Sequence, residues 1–584
     1  MAQTKVRVTS TMNPPVLLVD YSRQLLLSGN ALVRVEASSS WKSFVPIDVV
    51  TLLNVSQNMT GPAASLTETQ SRLDMLKKAM KFLLGQLNDD DRLSIIAFND
   101  QVIKEHSTGL VEISTSGRSA IETKIDGLIA KGDTALKPSL EHAVELLDGR
   151  EDKNRAGFII LISDGLDNSK FEWTDESIPP TDIVRLLLRK YPVHTFGLCK
   201  GHDSKALHFI AKESCGTYSS IADNLETKIM EALAVCLGGL KTVVAVNTCL
   251  NITSGSLKIT RIDSGGYPQR GGSGSIFIGI LSAGEVKDFV VYFNYTTGSW
   301  SRGYNTVLSG IIASVTYKDV PGKQSTFNET CSISLPIHTT DTGRAPENPC
   351  PPLSALLLQM IRSKVVDLLK SIMKDLLVLK QEAGRAVHRG EDDDPVLQAM
   401  AASSLQRKWK EFKQSDASWK EAPRAFLDLG GIDNDINAMV GILQHGLGVW
   451  CIYSWLSSYE MQRGTVTGLP YYMDGAQFRT PAIEAMVKEA HKQLANEAPA
   501  QEMDETVCNN AIELLDMIDE RFELWSKLEH DMPPPFQPSS EQQYDESLKF
   551  VSVLHRDISR ARQKDIYLTT DHAIEQWRSS FTDH

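Results

Sequence analysis

Three short segments carry the side chains best placed to do chemistry: Asn54-Val55-Ser56-Gln57-Asn58-Met59, Lys131-Gly132-Asp133-Thr134 and Ser163-Asp164-Gly165. Each offers hydroxyl, amide or carboxylate oxygens. A hard cation such as Mg2+ takes a few such oxygens in octahedral geometry and leaves positions open for an incoming carboxylate. The same residue types also cap helices and close loop hydrogen bonds, and Asp164-Gly165 reads equally as a strand-to-helix turn. Other chemistries lack their anchors. GxxxxGK[ST], a strand-linked GxGxxG and GxSxG are absent, which removes the usual basis for nucleotide, dinucleotide and serine-hydrolase sites. The spacing of Cys199, His202, His208 and Cys215 fits no tight zinc finger, and His142 and His194 read as packing histidines. Arg407, Lys408, Lys410 and Lys413, interleaved with Trp409 and Phe412, read as a helix with one apolar face rather than an RNA contact.

A parallel sheet would bring the three segments to one edge. Residues 46–56, PIDVVTLLNVS, form a continuous apolar run ending in polar residues, as a strand buried on both faces does. Helical spacing follows between Thr67 and Leu87 and stops at the run Asn88 to Asp91. The alternation continues with a strand at Leu93 to Phe98, amphipathic stretches at Gly117 to Ile129 and Pro138 to Leu147, and the very apolar strand Gly157 to Ser163. A helix at Thr181 to Tyr191, a strand at Pro192 to Cys199, a helix at Ser204 to Lys212, a strand at Thr217 to Ile221 and a helix at Leu225 to Leu240 complete it. Such alternation predicts an α/β, doubly wound, mainly parallel sheet, and ligands on these sheets sit at the carboxyl ends of the strands. All three oxygen-rich segments fall there.

From Lys241 to Ile337 the rhythm changes to short alternating strands between Gly, Ser, Pro and Asn turns, which predicts an antiparallel β-sandwich. Two strand-like runs before residue 46, Val16 to Asp20 and Ala31 to Glu36, are expected to pair with it. Past the polar, proline-bearing linker at 338–353, helices are expected at 353–380, 395–413, 431–461, 481–496, 503–529, 541–561 and 568–580. The expected organisation is therefore 1–45 with the sandwich, 46–240 as the α/β domain, 241–340 as the sandwich, 350–530 as a helical region and 541–584 as closing helices.

A length of 584 residues amounts to roughly four domain-equivalents at ~150 residues each. With 42% hydrophobic, 23% charged and 7% aromatic residues the composition is that of a globular protein. The net charge of -13 argues against nucleic acid as a partner, because neutralising phosphates needs a basic face. No stretch approaches the ~20 apolar residues that span a membrane, and the first residues lack a secretory apolar core, so the expected compartment is the cytoplasm. Eight scattered cysteines read as reduced thiols.

The three loops resemble those of the von Willebrand factor A (vWA) domain, whose metal-ion-dependent adhesion site combines a DxSxS loop, a threonine and an aspartate. The matching positions are Asn54, Ser56, Asn58, Thr134 and Asp164. The resemblance implies that these five residues receive a protein partner, with Ser56, Asn58, Thr134 and Asp164 as the metal set. Asn54 and Asn58 stand where the family has Asp and Ser. An amide brings no net charge, so Mg2+ affinity is expected to be weakened or lost. Residues 73–100 (LDMLKKAMKFLLGQLNDDDRLSIIAFND), 191–203 (YPVHTFGLCKGHD) and 215–221 (CGTYSSI) further resemble plant RING/vWA ubiquitin ligases, over about residues 40–340. A RING holds two zinc ions through CxxC pairs. No CxxC occurs in the sequence, so the expectation is a RING-less, non-enzymatic interaction protein without catalytic residues. Its alternatives are an accessory or substrate-recruiting associate of such ligases and a divalent-cation-dependent binder.

Overall fold

A computed structural model describes residues 5–13, 17–19, 26–39, 46–62, 70–152, 155–169, 173, 189–199, 201–221, 225–255, 257–270, 274–296, 307–319, 326–339, 354–382, 395–415, 429–444, 448, 450–466 and 478–497. The chain divides into a unit of residues 1–469 and 474–490 and a second unit of 470–473 and 491–584. Of the second unit, only the end of one helix is among the described residues. The helices expected at 181–191, 503–529, 541–561 and 568–580 lie wholly or almost wholly outside the described residues.

The chain opens with β1 (Val6–Asn13), β2 (Leu17–Val19) and β3 (Leu26–Ala37), and then enters the α/β part. There β4 (Ile47–Asn54), α1 (Arg72–Gln86), β5 (Arg92–Phe98), β6 (Val111–Glu112), α2 (Thr115–Asp126), α3 (Leu136–Asp148), β7 (Ala156–Ser163), β8 (Val193–Leu198), α4 (Ser204–Glu213), β9 (Tyr218–Ile221) and α5 (Leu225–Leu240) follow in turn. The sheet order is β6-β5-β4-β7-β8-β9, parallel except for the β5/β6 pair. Every residue of β4 and of β7 is buried, as central strands with helices on both faces must be. The chain runs from β4 to one side through β5 and returns to the other side through β7. The crossovers diverge at the carboxyl ends of β4 and β7, and this switch point leaves a crevice there.

The buried polar residues of β4 are all satisfied. Asp48 accepts a bidentate pair from Arg92 (2.7 Å and 2.7 Å) and a further bond from Arg150 (2.9 Å), while the Thr51 hydroxyl donates to the Ser94 carbonyl at 2.9 Å.

The strands β10 (Val243–Ser254), β11 (Lys258–Asp263), β12 (Gln269–Arg270), β13 (Ser275–Ser282), β14 (Val286–Thr296), β15 (Val307–Asp319) and β16 (Thr326–Thr339) form two further sheets. One is ordered β1-β3-β14-β11, the other β12-β13-β10-β15-β16-β2, and a shared apolar core joins them, with Val33, Phe289 and Phe293 from the first and Leu250, Ile278 and Val315 from the second. Residues ahead of 46 thus supply three strands rather than two. The strand not foreseen, β1, alternates Val6, Val8, Ser10 and Met12 in the period of a half-buried strand.

The C-terminal helices are α6 (Ser354–Glu382), α7 (Pro395–Ser415), α8 (Leu429–Gln444), α9 (Trp450–Met461) and α10 (Pro481–Glu497). The single helix expected at 431–461 is two helices. Gly448 lies between them at φ +101°, where a side chain would strike the Trp450 ring, with a Cβ only 2.0 Å from Nε1. The second of these helices covers the open edge of the parallel sheet. The Ser457 hydroxyl accepts the Tyr218 N–H at 2.9 Å, and the Ser220 N–H is shared between the Ser454 hydroxyl (2.8 Å) and the Val466 carbonyl (3.0 Å). An unpaired strand edge invites pairing with another chain, and here serine hydroxyls and one carbonyl close it.

Candidate functional site

Asn54 ends β4 and is wholly buried. Its Oδ1 accepts the Ser56 N–H at 2.8 Å, which fixes the oxygen end of the amide. The Nδ2 end therefore faces the crevice, donating to Ser163 Oγ at 2.9 Å and Thr134 Oγ1 at 3.1 Å. Backbone bonds hold the three loops to one another. Gln57 N–H donates to the Gly132 carbonyl (2.8 Å), Lys131 N–H to the Val55 carbonyl (2.7 Å), and Asn168 N–H to the Thr134 carbonyl (2.8 Å). Gly132 takes φ +82° beneath Asn99, whose Nδ2 a Cβ would approach to 2.7 Å. Gly165, the residue after Asp164, is ringed by its neighbours: a Cβ there would lie 3.1 Å from Thr134 Oγ1, 3.4 Å from Asn58 Nδ2 and 3.7 Å from Asn54 Nδ2.

Asp164 is buried, and its Oδ2 accepts from Arg72 Nη1 at 2.9 Å. Among the described residues, Asp164 Oδ1 and the buried Ser56 Oγ have no hydrogen-bond partner. Burial raises the Asp164 carboxyl above the usual carboxylate range, and the guanidinium beside it only partly offsets that cost. Arg72 reaches the site because Ser71 caps α1. Ser71 Oγ accepts the Asp74 N–H (3.2 Å) while Asp74 Oδ2 accepts the Ser71 N–H (3.0 Å), a reciprocal capping box that sets Arg72 as the first helical residue. Its guanidinium also bonds the Pro62 carbonyl (Nε, 3.3 Å) and the Asn58 carbonyl (Nη1, 3.5 Å). Burial acts to lower the Arg72 pKa, but the nearby Cys199 thiol and the Asp164 carboxylate outweigh it and raise it.

The five residues singled out in the sequence therefore meet at one edge, but four of them are inaccessible. Asn54, Ser56, Thr134 and Asp164 are 0–1% exposed, and only Asn58 lies open beside Gln57, Lys131, Asp133 and Asn168. Sequence reasoning missed Arg72, which lies 92 positions from Asp164 with no motif linking them.

This donor set suits Mg2+ poorly. The carboxylate already faces a guanidinium, the Asn54 amide presents N–H groups to the crevice, and Thr134 Oγ1 is engaged by one of them. Among the described residues, no group of three or more His, Cys, Asp or Glu side chains could hold a metal ion. His202 bonds the Cys199 carbonyl and the Tyr218 hydroxyl (2.6 Å), and His208 bonds Glu460 (3.0 Å), so the Cys/His group points to separate partners.

Residues 49–166, which supply this sheet's β4, β5 and β7 and the loops gathered at their switch point, match the von Willebrand factor type A domain family. The chain carries such a domain. Over 257 residues it is 27% identical to the E3 ubiquitin-protein ligase WAV3 of Arabidopsis thaliana, covering 42% of this chain and 30% of that one. It is 26% identical to the probable E3 ubiquitin-protein ligase WAVH2 of the same plant, over 47% of this chain and 36% of that one. The chain thus spans about a third of the length of these relatives. A von Willebrand factor type A structure from Catenulispora acidiphila aligns with 70% of this chain and 87% of its own, at 15% identity and a TM-score of 0.47. Among the described residues, no helix is long and apolar enough to cross a membrane.

Proposed function

We propose that the chain is a non-enzymatic, cytoplasmic protein-interaction module whose partner docks at the carboxyl edge of the parallel sheet, on loops set by Asn54, Ser56, Asn58, Thr134 and Asp164. The observation that carries this reading is the stitching of three loops around the buried Asn54 amide, which makes a pre-organised rim. On that rim Gln57, Asn58, Lys131, Asp133 and Asn168 are exposed, with the apolar Ile129 at 65% exposure close by in sequence. Mixed amide, charged and apolar groups on a rigid frame suit a protein surface. No catalytic base is assigned: His194 is buried against Thr217 Oγ1 (2.9 Å), and burial pushes its pKa down to about 3. In this reading the adhesion site is degenerate and works without a metal, the α/β domain of 46–240 recognises the partner, and the sandwich of 241–340 supports it.

The identity to WAV3 favours one second reading, an accessory or substrate-recruiting role beside RING-bearing relatives. Both readings meet in one experiment. A photoreactive residue at Gln57 captures the partner, which is then purified and its affinity measured in Mg2+ and in EDTA. The expected affinity is the same in both and falls about ten-fold or more for Asn58→Arg or Lys131→Glu. Loss of binding in EDTA would make the chain a divalent-cation-dependent binder, and indifference to both substitutions would move the docking surface elsewhere. A captured RING-bearing ligase would favour the accessory role.

A further inference from the structure

We infer that the Arg72 guanidinium is the resident cation of this edge, a tethered positive charge standing where a divalent ion would meet Asp164 and excluding that ion. The inference deepens the docking reading and rests on it for the location of the site.

Three observations converge. Arg72 meets oxygens from both loops it lies between: Asp164 Oδ2 at 2.9 Å, the Pro62 carbonyl at 3.3 Å and the Asn58 carbonyl at 3.5 Å. It also occupies the first position of α1, the positive end of the helix dipole, where a cation is disfavoured unless a nearby anion compensates. Asp164, wholly buried, is that anion. The charge count closes in the same way. One carboxylate and one guanidinium leave the buried cluster neutral, and the Asn54 amide adds no charge. A divalent ion added to this set would leave two uncompensated positive charges in a desolvated crevice, which is strongly unfavourable. The amide at 54 and the Arg72 guanidinium beside Asp164 thus belong together: they put one acid around a monovalent charge where the adhesion-site pattern has two acids around a divalent ion.

The test uses Mn2+ alone on the full chain, read from the loss of the free-ion electron paramagnetic resonance signal. Wild type and Asn54→Asp are expected to bind no stoichiometric Mn2+. The double variant Asn54→Asp/Arg72→Met restores two acids and removes the tethered charge. It is expected to bind one Mn2+ at least about ten-fold more tightly than either and to melt at a higher temperature with Mn2+ than in EDTA. One Mn2+ bound by wild type and lost in Asp164→Asn would overturn the inference, and this arm needs no engineered site to fold. So would a folded double variant that binds none. No partner enters the assay, so its failure and the failure of the docking substitutions are read separately.

Discussion

Replacing Arg463 by methionine tests how the α/β domain, the sandwich and the segment after α9 are held together. The guanidinium is buried. It donates through Nε to Glu285 Oε1 at 2.8 Å and through Nη2 to Glu285 Oε2 at 3.3 Å, to the Cys215 carbonyl at 2.8 Å and to the Ile280 carbonyl at 2.6 Å. Burial works to raise the Glu285 carboxyl, but Arg463 and Lys287 overcome it and hold the pKa near about 2. Methionine fills much of the volume and leaves Glu285 ionised and buried. Breaking one side of a buried pair costs about 3–5 kcal/mol. Lys287 Nζ, 3.5 Å from Glu285 Oε1, remains and puts the expected loss at the lower end, about 3 kcal/mol. Adding Glu285→Gln removes the stranded charge and should recover a third or more of that loss, the signature of coupled neighbours. Urea unfolding followed by the fluorescence of the buried Trp450 and Trp455 measures both variants. A loss under about 1 kcal/mol, or a double variant no better than the single, would mean that Arg463 does not compensate the buried Glu285 charge.

Other perturbations have equally definite outcomes. The His194 pKa of about 3 lies below its ordinary 6.5, so below pH 6.5 the unfolded chain takes up a proton that the folded chain refuses and stability falls with pH. At pH 5 the 1.5-unit interval amounts to ~2 kcal/mol, and His194→Gln should flatten that part of the profile in parallel denaturation series. Ser457→Ala strands the buried Tyr218 N–H and should cost about 1–3 kcal/mol with faster hydrogen exchange at that amide. Ser454→Ala should cost less, because the Ser220 N–H keeps the Val466 carbonyl. Gly448→Ala adds backbone strain of about 1–3 kcal/mol and displaces the Trp450 ring, visible as a red shift of its emission.

The sequence made the sheet legible because β4 and β7 are buried on both faces and so read as largely apolar runs, with Asp48, Thr51 and Asn54 the polar members of β4. It also marked the loops after β4 and β7, since oxygen-rich residues immediately after such strands fall at the carboxyl edge; the third, 131–134, lies between α2 and α3 and is brought there by its backbone bonds to Val55 and Gln57. What it hid are the features that depend on partners distant in the chain. Arg72 looks like an ordinary charged residue at a helix start until Asp164 is beside it. The Asn54 amide has two orientations, and only the Ser56 N–H selects one. The second part of the expected 431–461 helix is buried almost all round, because α9 lies against the edge of β9. Periodicity therefore carried no sign of Ser454, Ser457 or the buried Glu460, which bonds His208 at 3.0 Å and forms an ion pair with Lys370 at 2.7 Å. The break itself was marked by Gly448, but its requirement for a positive φ is a property of the tertiary contact with Trp450.

The converging loops enclose an ion pair, Arg72 with Asp164, in place of a divalent ion. Anomalous diffraction from crystals of the full chain grown in Mn2+ tests it directly. No manganese peak is expected between Ser56, Thr134 and Asp164, with Arg72 still within hydrogen-bond distance of Asp164. A manganese peak coordinated by the Asp164 carboxylate, with the Arg72 side chain turned away, would contradict it.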